Sequence, residues 1–373
     1  MADLNDHNSE HIATGRHTTS EKITAGKSSG PARPLLLDCD TGIDDSLALL
    51  YLLSRPEVSL VSVVSTAGNV PVDVVAANNL AWLCLVGRAD IPVYVGSAEP
   101  LVEPLRTTED THGPHGVGYA ALPPAFTPPA AQDAATAWID ASLTHPGELI
   151  GLVTGPSTSL SRAITRDPGL PARLAGLVIM GGTFLHPGNT APTVEWNVAV
   201  DPESLAHVLV SFGHGGAPAP VICPLDLTEQ AVFTPAHLSR LAELANSQPV
   251  ERPSAGDTRG AASVASNPVV RHLVDALRFY FEFHADHDEG YIAHAHDPFA
   301  AAVAIGAADV TTRSACVDVE LRGTLTRATT VADDRGFWGR PDNASIATAA
   351  DMDAFLDDLV ESIARLANAV GQT

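Results

Sequence analysis

Between Leu35 and Leu53 the chain runs an apolar stretch directly into a cluster of acids and out again into an apolar helical pattern. Leu35-Leu36-Leu37 suits a buried strand. Asp38, Asp40, Asp44 and Asp45 then place four carboxylates within eight residues. Asp38 and Asp40 are expected on one side of an extended strand, because side chains alternate with period two. Gly42 permits a sharp turn, and Asp44-Asp45 open the helical pattern from Ser46 to Leu53. Four bare carboxylates this close repel one another strongly if buried. A hard divalent cation held by their oxygens, Ca²⁺ or Mg²⁺, resolves that conflict. Capping by Asp44 and a dipole contact by Asp45 is the competing explanation, and it accounts for two of the four acids.

The rest of the chain repeats the same change of period. Apolar runs at 35–37, 60–65, 93–96, 149–154, 177–180 and 221–227 read as short buried strands. Helical patterns lie between most of them, at 44–55, 72–87, 157–166 and 201–212. This alternation predicts an α/β fold: an open, mostly parallel sheet with helices on both faces. Residues 313–333 alternate in polarity and predict a small peripheral antiparallel hairpin. Further helices are expected at 269–287, from about Pro298, and over 348–370. Two Pro- and Gly-rich stretches, 103–132 and 246–268, are expected to be loops able to cover a site. Residues 1–33 have no apolar period and are expected to form a disordered tail, with 34–373 a single domain. Ligands bind beyond the carboxyl ends of the strands in such sheets, and Asp40, Asn69, Thr154 and Met180 all fall at or after those ends.

Composition narrows the partners. The 44 acids outnumber the 21 bases, for a formal net charge of −23. Nucleic acid and anionic membrane are excluded as partners on this balance, since both need a basic face. A neutral substrate or a bound cation fits better. The four cysteines lie scattered in apolar runs without metal or disulfide spacing, as expected of reduced thiols. No basic-then-apolar secretory signal opens the chain, and no apolar run reaches the roughly 18 residues of a membrane span. A cytoplasmic protein is expected.

Three other constellations carry chemistry. After Met180-Gly181-Gly182 come Gly188-Asn189, Glu195-Trp196-Asn197 and Asp201-Pro202-Glu203; their amides and carboxylates suit sugar hydroxyls, although turns use the same residues. In His294-Ala295-His296-Asp297-Pro298, Asp297 is placed to cap a helix that Pro298 begins. The same pair would also set an acid near a leaving group and a carboxylate on a metal. His112-Gly113-Pro114-His115-Gly116 adds histidines in a glycine-rich turn.

Taken in order, these pieces resemble the nucleoside hydrolases of the inosine–uridine-preferring type, a Rossmann-like fold. Asp38-Cys39-Asp40-Thr41-Gly42-Ile43-Asp44-Asp45 matches the family's DxDxGxDD fingerprint. The resemblance continues through Gly68-Asn69, His112-Gly113, Thr154-Gly155-Pro156 and the constellations above, over roughly 34–335. It implies a Ca²⁺-dependent enzyme that hydrolyses the N-glycosidic bond of ribonucleosides to ribose and free base. By that resemblance Asp40, Asp45, Asp297 and the Thr154 carbonyl hold the calcium, and Asp40 is the general base toward a calcium-activated water. Asp44, Asn189, Glu195 and Asn197 grip the ribose, with Asn69 and Met180 beside it and Trp196 shaping the pocket. His112 and His296 face the base, and His296 assists its departure. The implied assembly is a homodimer or homotetramer.

Departures from the family pattern are local. Thr41 stands where Pro is frequent and Trp196 where Phe is frequent. Ser157-Thr158-Ser159 replaces Leu-Thr-Asn, and Glu229 replaces a His. The segment 280–294 is where such enzymes set base preference, with Tyr280, His284 and Tyr291 as candidates. His296, in place of the Trp of purine-specific relatives, favours a pyrimidine or broad preference. Two rival readings exist. Asp38-Cys39-Asp40-Thr41-Gly42 loosely resembles the start of haloacid-dehalogenase-type phosphatases, but no lysine follows Lys27 and the acidity disfavours a phosphorylated substrate. A non-catalytic ribose- or nucleoside-binding protein would need a lost essential group, whereas every matched metal position is present.

Overall fold

The computed structural model describes residues 20–23, 31–212 and 216–372. Its strands are β1 (Ser20–Ile23), β2 (Arg33–Cys39), β3 (Val58–Ser65), β4 (Val93–Val95), β5 (Ile150–Val153), β6 (Gly176–Met180), β7 (Val221–Cys223), β8 (Val232–Phe233), β9 (Ala293–His294), β10 (Val310–Val319), β11 (Thr330–Asp333) and β12 (Ala344–Ala350). One sheet runs in the order β1-β10-β12-β7-β6-β5-β2-β3-β4, with β11 paired to β10. From β12 across to β4 all neighbours are parallel. β1, β10 and β11 extend one edge antiparallel, and β8 and β9 form a separate two-stranded piece.

The uninterrupted apolar strands are explained by a core on each face. Leu35, Leu37 and Cys39 enter one core, with helices Ile43–Leu53, His296–Ile305 and Met352–Gly371. Leu36 enters the other, with Trp138, Leu160 and Leu205 from the helices Ala134–Thr144, Thr158–Arg166 and Pro202–Phe212. Helix His296–Ile305 packs on β5, β6 and helix Ile43–Leu53. Its run of Ala300, Ala301 and Ala302 lets those backbones approach closely. In the Ser157-Thr158-Ser159 stretch, the hydroxyl of Ser159 gives its departure from Asn a local reason, while Ser157 in place of Leu has none in the structure. Thr158 donates to Asp201 at 2.6 Å, and Ser159 shares a 2.7 Å hydrogen bond with Thr66.

Several expectations are corrected. Residues 20–23, placed in the disordered tail, add a strand along the free edge of β10; the rest of 1–30 lies outside the described residues. The strand expected over 221–227 stops at Cys223, because Pro224 has no N–H for the ladder, and Leu225–Thr228 turns helical. The antiparallel hairpin expected within 313–333 is present at the sheet edge as β10 and β11, and β10 also pairs with β12. β12 occupies 344–350, where the final helix was expected to begin. That helix starts after Asp351, which accepts from the Ala354 N–H at 3.0 Å.

The shared-face expectation for Asp38 and Asp40 also fails. β2 ends at Cys39, so the period of two no longer applies at Asp40. Asp38 lies on the Leu36 face, fully buried, accepting from the Thr66 hydroxyl at 2.6 Å and the Trp138 indole at 2.9 Å. Burial raises its pKa to about 7 against those two stabilising donors. A carboxyl raised in the folded state favours folding below its unfolded pKa near 4 and loses that contribution as pH rises through about 7. Asp38→Asn is therefore expected to raise Tm over the parent by an amount that grows between about pH 4 and about pH 7. A pH-independent difference in thermal melts would contradict the ionisation argument.

Candidate active site

The sheet reverses its winding at β2, which has β5 on one side and β3 on the other. Such switch points open a crevice at the carboxyl ends of the strands. The Thr154 N–H donates to the Asp38 carbonyl at 2.9 Å and the Thr66 N–H to the Cys39 carbonyl at 2.9 Å, carrying both ladders to the crevice lip. The chain then turns at Gly42 into helix Ile43–Leu53. A Cβ on Gly42 would stand 2.6 Å from His112 Nδ1, and one on Gly68 would stand 2.1 Å from Asp40 Oδ2. Only glycine allows these approaches.

Four carboxylates meet there, all buried. Oxygens of Asp44, Asp45 and Asp297 lie within 4.8 Å of one another, and Asp40 faces all three. Asp45 accepts from the Gly42 N–H at 2.7 Å and the Thr154 hydroxyl at 2.7 Å. Asp40 Oδ2 accepts from the Asn69 N–H at 2.8 Å, while its buried Oδ1 has no partner. Among the described residues, no Arg or Lys lines the surrounding cavity. Burial raises all four pKa values, Asp44 to about 7, and mutual repulsion adds to the shift of Asp40, Asp44 and Asp297. An all-oxygen donor set, an orphaned carboxylate oxygen and uncompensated buried charge fit a hard divalent cation. Asp44, expected at the ribose, stands inside this cluster. The Thr154 carbonyl accepts from Asn197 Nδ2 at 2.8 Å.

The cavity above the carboxylates has a volume of about 570 Å³. Asn69, His112, Met180, Asn189, Glu195, Trp196, Asn197 and His296 all line it, so the substrate residues expected from sequence converge. Glu195 caps the short helix Trp196–Val200, accepting from the N–H groups of Gly182, Asn197 and Val198, and burial raises its pKa to about 7. The Asn189 side chain accepts from the Trp196 N–H at 3.0 Å.

A second group of lining residues is aromatic and imidazole-rich. His112 accepts from the Ile43 N–H at 3.1 Å and packs on Tyr280 at 5.5 Å. His296 Nδ1 lies 2.8 Å from the Thr228 hydroxyl. Burial, then neighbouring imidazoles, lowers the pKa of His112 to about 3 and of His296 well below its usual range. His296, expected to set an acid near the leaving group, is therefore held neutral. Tyr280 and His284 line the cavity as anticipated, while Tyr291 does not. Thr228, Phe283 and Glu289 belong to the region but carried no recognisable motif, whereas His294 opens the His294-Ala295-His296-Asp297-Pro298 stretch. Glu229 lies 3.4 Å from His186 at the rim, a contact that gives the His-to-Glu departure a local reason.

An α/β crevice that joins a buried carboxylate cluster to a sugar-sized polar cavity defines a cation-assisted hydrolase of a small polar substrate. A family model described as "Inosine-uridine preferring nucleoside hydrolase" matches residues 35–357. A pyrimidine-specific ribonucleoside hydrolase RihA from Shewanella sp. (strain ANA-3) is 32% identical over 336 residues, covering 89% of this chain and 96% of the relative. An inosine-uridine preferring nucleoside hydrolase from Leishmania major is 32% identical over 338 residues, covering 90% and 98%. Among solved structures, a purine-preferring ribonucleoside hydrolase from Gardnerella vaginalis superposes with a TM-score of 0.78 at 27% identity, covering 90% of this chain and 100% of that one. The chain belongs to the inosine-uridine preferring nucleoside hydrolase family and is a ribonucleoside hydrolase.

Proton linkage gives a test of the carboxylate cluster. Carboxyls with raised pKa make the metal-free fold bind more protons than the unfolded chain, so its stability falls as pH rises. A bound dication takes over the role of those protons. In EDTA the Tm is expected to drop between about pH 5 and about pH 8, and Ca²⁺ to raise it by an increment that grows with pH. An increment that is absent or independent of pH would leave the cluster without a cation-binding role.

Proposed function

We propose that the protein releases free base from ribonucleosides with a bound Ca²⁺ and with Asp40 as general base. The unpartnered, buried Oδ1 of Asp40 carries this reading. Held through Oδ2 by the Asn69 amide, Asp40 keeps one oxygen free to accept a proton from the attacking water. Asp45, Asp297, Asp40 and the Thr154 carbonyl are the proposed ligands, with Asp44 close enough to join them or to bind ribose. The ion supplies charge that acidifies water and anchors vicinal hydroxyls.

Loss of a nucleobase leaves positive charge on the ribose ring, as in other oxocarbenium-like glycosyl transfers. Buried Asp44 and Glu195 and the Asn189 and Asn197 amides are placed to bind hydroxyls and stabilise that charge. His296 meets the leaving base as a neutral hydrogen-bond donor, its Nδ1 engaged by Thr228 and Nε2 left for the base. His112 accepts through Nδ1 and so presents an Nε2–H in the same region. The imidazole-lined end favours a pyrimidine or broad base preference, in keeping with pyrimidine-specific and inosine-uridine preferring relatives at equal identity. A cytoplasmic homodimer or homotetramer completes the proposal. Among the described residues no helix is long and apolar enough to cross a membrane.

Release of reducing ribose from uridine, cytidine, inosine, adenosine, guanosine and 2′-deoxyuridine, with and without EDTA, tests the reading. Chelator-sensitive release from the ribonucleosides alone is expected. Failure on every substrate by folded, Ca²⁺-loaded protein would favour a non-catalytic binder. Asp40→Ala is expected to abolish turnover with the melting transition retained. His296→Ala is expected to slow uridine hydrolysis far more than that of p-nitrophenyl riboside, whose phenolate needs no proton; equal losses would make His296 a binding residue.

A further inference from the structure

We propose that His284, Glu289 and His294 form a second metal site, for a transition-metal ion such as Zn²⁺, at the base end of the cavity. One ligand atom from each lies within 4.8 Å of the others. Zinc binds imidazole nitrogen and carboxylate oxygen tetrahedrally at about 2.0–2.2 Å, which puts ligand pairs roughly 3.3–3.6 Å apart. Closing the remaining gap falls to Glu289. Its side chain is 54% exposed and sits in the turn after helix Pro268–Asp286, between Asp288 and Gly290, both of positive φ.

Both imidazoles are set as ligands. His284 Nδ1 lies 2.9 Å from the Tyr280 carbonyl. A carbonyl only accepts, so the proton is on Nδ1 and Nε2 offers its lone pair. That Nε2 stands 3.7 Å from the Glu289 carboxylate. His294 has a buried Nδ1 with no hydrogen-bond partner, while its ring also meets the Glu229 backbone carbonyl. A carbonyl behind a ligating histidine is the usual support that fixes its tautomer. The two rings lie 5.1 Å apart, edge to face.

The donor set separates this site from the carboxylate cluster. Two nitrogens and one carboxylate suit Zn²⁺, Co²⁺ or Ni²⁺, whereas all-oxygen sets suit Ca²⁺ and Mg²⁺. Three protein ligands also leave a fourth zinc position open. Glu229 adds charge nearby and is repelled by Glu289, a repulsion that a dication relieves. All three ligands line the cavity shared with His296 and Tyr280. On the proposed nucleoside reading, an ion there contests the base end, and Zn²⁺ is expected to inhibit hydrolysis competitively. Metal binding itself does not depend on that reading.

The test is Co²⁺ titration of the full-length, Ca²⁺-loaded protein followed by visible absorption, with Zn²⁺ binding by calorimetry. The parent is expected to bind one more equivalent than His284→Ala/His294→Ala, with a nitrogen-ligand cobalt spectrum that the double variant lacks. Comparison with the variant subtracts binding by histidines elsewhere in the chain. Glu289→Ala, on an exposed turn, tests the site without disturbing a buried residue. It is expected to weaken Zn²⁺ by more than the roughly 10–100-fold lost with a merely supporting group. Equal stoichiometry and spectra in the parent and both variants would overturn the proposal. Zinc binding by Ca²⁺-loaded protein that releases no ribose before zinc is added would instead count against the reaction and leave this site standing.

Discussion

Electrostatic repulsion among Asp40, Asp44, Asp45 and Asp297 is the constraint on which the site depends. Isolated ionised carboxylates are expensive to bury, and nearby cations usually offset them. Here, among the described residues, the cavity offers no Arg or Lys. The chain instead satisfies individual oxygens with backbone and hydroxyl donors, the Gly42 and Asn69 N–H groups and the Thr154 hydroxyl. Those bonds orient the carboxylates without neutralising them. The structure therefore holds a concentrated negative potential whose natural counter-charge is a small dication.

That concentration requires close backbone approach, which explains the positions of glycine. Gly42, Gly68 and Gly155 surround the acids, and a Cβ on Gly155 would lie 2.8 Å from Asp40 Oδ1. A methyl group at Gly68 or Gly155 would displace Asp40 rather than merely crowd it. The Gly-Asn and Gly-Pro dipeptides after β3 and β5 thus serve the site by what they lack. Asp38 shows the other half of the arrangement. One turn of chain before Asp40, it is removed from the cluster and secured by Trp138 and Thr66, so the strand beneath the site stays in register.

Local patterns made much of this readable. Uninterrupted apolar runs defined the strands of the parallel sheet, and their polar ends located the crevice. Motif order then collected Asn69, Thr154, Met180, Glu195 and Asn197 around it. Edges were less readable because tertiary pairing decides them. β1 exists through the free edge of β10, and β12 replaces residues whose alanine content suits a helix equally well. Strand parity misplaced Asp38 because the strand ended one residue before Asp40. At the base end, Thr228 joins His296 across 68 positions of sequence, and no local pattern records such a contact.

The cavity lining combines two opposite chemistries. One group of residues supplies ionisable oxygens that favour positive charge. The other comprises His112, His284, His294 and His296, and burial drives the pKa of every one downward. Neutral imidazoles there can donate or accept hydrogen bonds without adding positive charge to repel a cationic ribose. A protonated histidine in the same place would be a better acid but would oppose the oxocarbenium-like charge developing beside it. Holding the rings neutral trades acid strength for charge compatibility. On the proposed mechanism, hydrogen bonding from the neutral rings would assist departure of the base, and the carboxylates would carry most of the electrostatic stabilisation.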